Sequence, residues 1–98
     1  IVDYNKLQRL TSTHETLNLE PLVDKIKAFG WDLIEIDGHE HVEINNAIQS
    51  TSTKPKFILA HTTKGKGVSF MENKVVWHYR SASEEELAKA IKEIEDSS

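Results

Sequence analysis

The stretch His61–His78, HTTKGKGVSFMENKVVWH, concentrates most of the chemical equipment of this chain. It reads as a strand end that breaks into a glycine-rich turn, carries two lysines through it and returns a histidine. In Lys64-Gly65-Lys66-Gly67 the glycines permit a sharp turn and a close approach of backbone to ligand. The lysines supply positive charge for phosphate oxygens. Phosphate binding and a solvated basic turn both fit the spacing. The Walker pattern does not, because it needs a longer Gly to Gly-Lys interval and a following Ser or Thr. Of the histidines, His14 reads as a surface loop residue, and His39 and His41, two apart, would point to different sides of a helix. His61 stands where strand meets turn, where a packing role is at least as natural as a catalytic one. His78 follows Trp77 in a non-helical segment and is the strongest candidate to meet a ligand. No carboxylate–histidine set has zinc spacing. At the other end, Asp3 and Asn5 are oxygen donors at a strand terminus. They suit part of the shell of a hard cation, or, for Asn5, an ordinary turn.

These groups need elements to place them. Ile1–Tyr4 suggests a strand from its β-branched start. Residues 8–18, rich in Thr, Ser and Asn, read as a loop. Glu20-Pro21 predicts a helix start, since proline suits the first helical position. Leu22, Ile26 and Phe29 then form a stripe, and Gly30 provides the left-handed stop. Trp31–Ile36 is an apolar run of strand length ending in the turn Asp37-Gly38-His39. A second helix is expected from about Glu40 to Gln49, with Ile44, Ala47 and Ile48 on one side, and Ser50–Pro55 is linker. Lys56–Thr62 carries Phe57-Ile58-Leu59-Ala60, a run typical of strands covered on both faces. Ser83 and Glu86 form a capping box. Leu87, Ile91 and Ile94 repeat behind it as a helix closing the unit, and Asp96-Ser97-Ser98 should fray. Strands alternating with helices predict an α/β fold, a partial parallel sheet with helical crossovers. Ligands of such sheets sit beyond the carboxyl ends of the strands. The segments after Tyr4 and from His61 onward should therefore share one rim.

The bulk numbers agree. A chain of 98 residues supports one small domain. With 38% hydrophobic and 29% charged residues the composition is that of an ordinary globular protein. A net charge of −4 disfavours nucleic acid as a partner. No apolar run is long enough to cross a bilayer, nothing at the start resembles a signal peptide, and with no cysteine there is neither disulfide nor thiolate metal site. A cytoplasmic location is the expectation. The opening Ile1-Val2-Asp3-Tyr4 would start a buried strand at the first residue. It reads either as a trimmed chain or, preferably, as a piece split, nicked or excised from a larger domain.

Taken in order, Ile1-Val2-Asp3-Tyr4-Asn5-Lys6-Leu7, Gly30-Trp31, Asp37-Gly38-His39, Lys64-Gly65-Lys66-Gly67, Glu72-Asn73-Lys74 and Trp77-His78 resemble transketolase. More closely, they resemble the second half of its thiamine-diphosphate-binding domain, as in the N-terminal subunits of split transketolases. The resemblance covers nearly the whole chain and implies that residues 1–98 are the C-terminal portion of that domain. Enzymes of this kind hold a divalent metal through the aspartate of a Gly-Asp-Gly motif, an asparagine, and a backbone carbonyl two residues on. Asn5 matches the asparagine, which also contacts the diphosphate, and Leu7 matches the carbonyl donor. Lys64 matches a lysine lining the cofactor site, and His78 a histidine that contacts the diphosphate region and the sugar. The implied cofactors are thiamine diphosphate and Mg2+, with Ca2+ or Mn2+ as substitutes. The implied reaction is transfer of a two-carbon ketol unit between sugar phosphates, with His78 positioning sugar oxygens and assisting proton transfer.

The chain also departs from the pattern. It contains no Gly-Asp-Gly motif, and it lacks the pyrimidine-binding domain whose glutamate activates the cofactor. The implied partners are therefore a complementary segment carrying the motif and a pyrimidine-binding transketolase subunit. The chain alone should be inactive. Tyr79 stands where glycine usually follows the histidine, which leaves the substrate less secure than the cofactor. Two alternatives stay open. One is another thiamine-diphosphate enzyme, deoxyxylulose-phosphate-synthase-like or acyl-transferring. The other is a non-catalytic docking module.

Overall fold

A computed structural model describes all 98 residues, Ile1–Ser98. Strand β1 (Val2–Tyr4) opens the chain. The stretch expected as a loop then proves ordered. β2 (Leu7–Gln8) pairs antiparallel with β3 (Thr11–Ser12), and a one-turn helix α1 (Thr13–Thr16) follows. Strands of two residues are too short to carry a period. The local chemistry is nonetheless specific: Arg9 turns the hairpin at φ +46°, and the Ser12 hydroxyl caps α1 by accepting from the Glu15 N–H at 3.3 Å.

Helix α2 (Leu22–Ala28) starts one residue beyond Pro21, which is extended and serves as the N-cap rather than the first helical residue. Leu22 and Ile26 are half-buried, but Phe29 is 80% exposed, so the expected stripe stops short. Gly30 closes the helix at φ +86° as expected. β4 (Asp32–Asp37) begins one residue later than its apolar run suggests. α3 (His41–Gln49) presents Ala47 and Ile44 to the sheet, while Ile48 points away, 52% exposed. The Lys56 ammonium satisfies the end of α3, donating to the carbonyls of Ala47, Ile48 and Ser50 at 2.7–2.9 Å. β5 (Lys56–His61) then runs through the middle of the sheet.

The sheet is parallel, in the order β1-β5-β4. Its register sets Val2 beside Leu59, Tyr4 beside His61, and Asp37 beside His61 on the other flank. Ile34, Ile36, Ile58 and Ala60 alternate onto one face and pack with Ile44 and Ala47 of α3. Leu59, on the opposite face by the pleat, is 1% exposed. Successive burial of Ile58, Leu59 and Ala60 bears out the reading of a strand covered on both sides. The fold is thus the expected α/β arrangement, with β4-α3-β5 as its crossover unit.

Helix α4 (Glu84–Asp96) follows a 3-10 turn at Val75–His78. Its capping box forms in full: Glu86 N–H donates to the Ser83 hydroxyl at 3.2 Å, and Ser83 N–H to the Glu86 carboxylate at 2.8 Å. Of the three residues expected to fray, Asp96 stays in the helix, Ser97 is its C-cap and Ser98 lies beyond it. The hydroxyls of Ser97 and Ser98 donate to the Ile94 carbonyl. The apolar stripe does not close the unit. Leu87, Ile91 and Ile94 are about half exposed, and only Ala90 is buried. The helix is held instead by polar contacts: Glu93 accepts from Ser69 N–H and hydroxyl at 2.6 and 2.8 Å, and Arg80 grips Glu86 through two bonds. The Arg80 guanidinium also lies 4.3 Å above the Trp77 ring. The molecule is a slab of 49 × 32 × 14 Å with a radius of gyration of 16.3 Å. About 13 Å is usual for a closed domain of this length. The difference reflects packed layers that leave broad apolar surface uncovered.

Arg80 beside Glu86, aided by the Ser83 N–H, holds the Glu86 carboxyl at about 2, below the ordinary 4.5. A carboxylate with a depressed native pKa stabilises the fold above its unfolded value, and that contribution disappears as pH falls through the native value. The start of α4 should therefore loosen between about pH 4.5 and pH 2. Far-UV circular dichroism of wild type and Glu86→Gln checks this: the variant should be less helical at neutral pH and show a flatter acid limb.

Candidate functional site

The site lies at the rim where β1 and β5 end. Beyond Tyr4 the chain turns at once. The Asn5 side-chain oxygen accepts from Leu7 N–H at 3.0 Å, and Lys6 between them adopts φ +61°. The Lys6 carbonyl is held by Thr13 N–H at 2.9 Å, which ties the turn to α1. Asn5 and Leu7 are both half-buried.

Beyond His61 the glycine-rich segment folds into a compact loop rather than an open cradle. Lys66 N–H donates to Thr63 O and Val68 N–H to Gly65 O, both at 3.1 Å, and Asn73 N–H closes onto the Lys64 carbonyl at 2.9 Å. Gly65 has φ +74°, and a Cβ there would lie 2.7 Å from the Met71 carbonyl oxygen. Two lysines in this loop do not act together: Lys64 faces one cavity and Lys66 another. The loop then returns through Val75–His78. Trp77 anchors that turn, its indole N–H donating to the Phe70 carbonyl at 3.1 Å.

The result is a cavity of about 230 Å³ lined by Asp3, Asn5, Leu7, Arg9, Lys64, Val75 and His78. All four residues singled out from the sequence, Asn5, Leu7, Lys64 and His78, meet there. The hydroxyl of Thr62 bonds the Asp3 carboxylate and fixes it against the sheet edge. Arg9 and Lys64 give the remaining wall a positive character. Whole-ligand pockets usually run to about 300–1,000 Å³, so the cavity suits one anionic end of a larger molecule.

A broader groove of about 820 Å³ adjoins it along the strand ends, and Asn5 and Leu7 line both. His61 belongs to this groove, paired with Glu35 at 3.0 Å and tilted against the Tyr4 ring, so it does not reach the smaller cavity. His39 accepts the Thr63 N–H on Nε2 at 2.8 Å, which places its proton on Nδ1 and clamps the start of the glycine loop. His14 is exposed on α1, and His41 begins α3. The buried Tyr4 phenol donates to Glu20; that bond, then burial, raises the phenol pKa, and the same bond lowers that of Glu20.

The donors suit a hard cation only in part. An amide oxygen at Asn5 and a peptide carbonyl at Leu7 are the right kind of ligand for magnesium, which seeks six oxygens. The chain holds no cluster of three or more His, Asp or Glu arranged for a metal. Sequence reasoning misses Arg9 and Val75 as wall residues. Reading residues 8–18 as loop hides Arg9, although its charge beside Leu7-Gln8 is the available signal.

Residues 1–95 match the family described as transketolase, thiamine diphosphate binding domain. The chain is 39% identical over 99 residues to an apulose-4-phosphate transketolase subunit of Phocaeicola vulgatus, covering 98% of this chain and 35% of that protein. It is 45% identical over 96 residues to the 6-deoxy-6-sulfo-D-fructose transketolase subunit SqwG of a Clostridium species, covering 95% and 35%. Human transketolase is 30% identical over 94 residues, covering 96% of this chain and 15% of that enzyme. The chain thus spans about a third of the length of the two bacterial subunits.

Two glycine substitutions separate backbone conformation from crowding. Gly67, at φ +94°, has open space around its missing Cβ. Gly67→Ala should lower stability by about 1–2 kcal/mol from conformation alone. Gly65→Ala adds a clash with backbone and should lose clearly more, measured by urea denaturation.

Proposed function

The chain belongs to the transketolase thiamine diphosphate binding domain family, and from that premise we propose that residues 1–98 are the C-terminal portion of such a domain. In this reading it forms part of a transferase that moves a two-carbon ketol unit between sugar phosphates. The observation that carries the proposal is the convergence of Asn5, Leu7, Lys64 and His78 on one cavity from positions spread along most of the chain.

Each residue then has a physical task. Asn5 offers its amide oxygen, and Leu7 its carbonyl, to Mg2+, or to Ca2+ or Mn2+ in its place. The Lys64 ammonium offsets the negative charge of a diphosphate that would otherwise be too expensive to remove from water. His78, exposed at the cavity edge, orients sugar oxygens and exchanges a proton with a substrate hydroxyl. Thiamine diphosphate, when bound, supplies the electron sink for cleavage of the carbon–carbon bond.

The resemblance implies further parts beside residues 1–98, and these define the proposed partners. A segment carrying the Gly-Asp-Gly motif would complete the metal shell, and a pyrimidine-binding subunit would bring the activating glutamate. The two bacterial relatives are themselves named as subunits, which supports a divided enzyme. No helix is long and apolar enough to cross a membrane. A cytoplasmic location and a role in carbohydrate metabolism are part of the proposal, from the resemblance. Tyr79, at the position where the resemblance expects glycine, keeps the related reactions of other thiamine-diphosphate enzymes as a second reading. A panel of ketose donors offered to the assembled enzyme separates the two. The half-exposed stripe on α4 supports docking whichever reaction is served.

Titration calorimetry with thiamine diphosphate and Mg2+ tests the cofactor site. The chain with its complementary polypeptide should bind both, and chelating the metal should abolish the heat. Asn5→Ala should weaken cofactor binding by at least about tenfold, equivalent to roughly 1.4 kcal/mol. No heat with the complement present would leave only the docking role.

A further inference from the structure

Tyr79 follows His78 directly. Its ring stands edge-on to the His78 imidazole, with centroids 5.0 Å apart. Its hydroxyl donates to the Arg9 carbonyl, 70 positions away in sequence. One side chain therefore touches two walls of the 230 Å³ cavity, His78 by its ring and Arg9 through the backbone. Arg9 itself is held at φ +46°, a left-handed conformation that residues with a Cβ seldom adopt. A left-handed arginine at the tip of a two-residue hairpin needs an outside restraint, and the Tyr79 hydroxyl provides one at that same residue.

The chemistry of the wall gives the restraint a purpose. A guanidinium presents a planar fork of donors that matches phosphoryl oxygens two at a time. Lys64 adds a second cation, and Asp3, the lone carboxylate of the lining, is engaged by Thr62. We infer that Tyr79 is a positioning residue that fixes Arg9 in the cavity wall, so that Arg9 joins Lys64 in binding a phosphoryl oxyanion. The inference rests on the proposed function only in supplying that anion, either the cofactor's diphosphate or a sugar's phosphate.

The test is calorimetry of the full chain with magnesium pyrophosphate, standing for the cofactor end, and with inorganic phosphate, standing for the sugar end. Tyr79→Phe removes only the hydroxyl, keeps the ring against His78 and, at a half-exposed site, leaves the fold intact, which a thermal melt verifies. It should weaken one of the two anions about three- to tenfold; which one identifies the source. Arg9→Gln should weaken the same anion at least as much, and Tyr79→Phe should add nothing further in that background. Arg9→Gly, which relieves the left-handed strain and removes the cation, should raise the melting midpoint while weakening the anion. Wild-type affinity for both anions in Tyr79→Phe, an equal loss for both, or additive losses in the double variant would overturn the positioning role and leave the cofactor site standing. Binding of neither anion by the wild-type chain would remove the cavity's anion role and overturn the inference, while the proposed function stands or falls separately on the calorimetry with the complementary polypeptide.

Discussion

The parallel register of β1 against β5 is the constraint on which the rest depends. Because Tyr4 lies beside His61, both strands leave the sheet at the same level and on the same rim. A slip of one residue would flip Asp3 and Tyr4 to the opposite faces. Tyr4 is buried and bonded to Glu20, and Asp3 is bonded to Thr62, so a slip would break both contacts and strand a phenol in solvent. The apolar burial of Leu59 and Ala60 thus fixes where Asn5 and Lys64 emerge. Core packing and site geometry are one problem in this fold.

Backbone strain gathers around the same rim. Lys6, Arg9 and Asn73 are the non-glycine residues with positive φ, and all three border the candidate site or the groove beside it. Each such conformation costs on the order of 1–2 kcal/mol. Local bonds offset it: Thr13 holds the Lys6 carbonyl, Tyr79 holds that of Arg9, and Asn73 N–H binds the Lys64 carbonyl. These three turns are therefore tightly specified although none sits in a core. That is what a site needs when it must present charged groups to a ligand without collapsing onto them.

The legible parts of the sequence are those with long-range redundancy. The buried run Phe57–Ala60, the stop at Gly30 and the Ser83–Glu86 capping box each carry several agreeing signals, and each appears as expected. The resemblance points to Asn5, Leu7, Lys64 and His78, and the fold gathers them at one cavity. The hairpin at residues 7–12 is illegible because two-residue strands have no period and its turn uses Arg9 where Gly or Asn is the usual signal. The apolar stripe of α4 is legible as a stripe, but it does not act as the lid that the pattern suggests. Periodicity reports that a face wants to be covered, not what covers it.

That uncovered face bears on the energetics of the whole. Fully burying a Leu or Ile side chain contributes roughly 1.5–3 kcal/mol, and Leu87, Ile91 and Ile94 have each about half of that still to gain. The net stability of a domain is only about 5–15 kcal/mol, so the unclaimed burial on α4 alone is comparable with a sizeable fraction of it. The helix is meanwhile tied to the glycine loop by Glu93 and Ser69, and the loop carries Lys64. A surface that docks on α4 would therefore stiffen the loop whose lysine faces the cavity. In the proposed assembly, burial of the apolar stripe and completion of the anion site draw on one connected element, so partner association and cofactor affinity should rise together rather than independently.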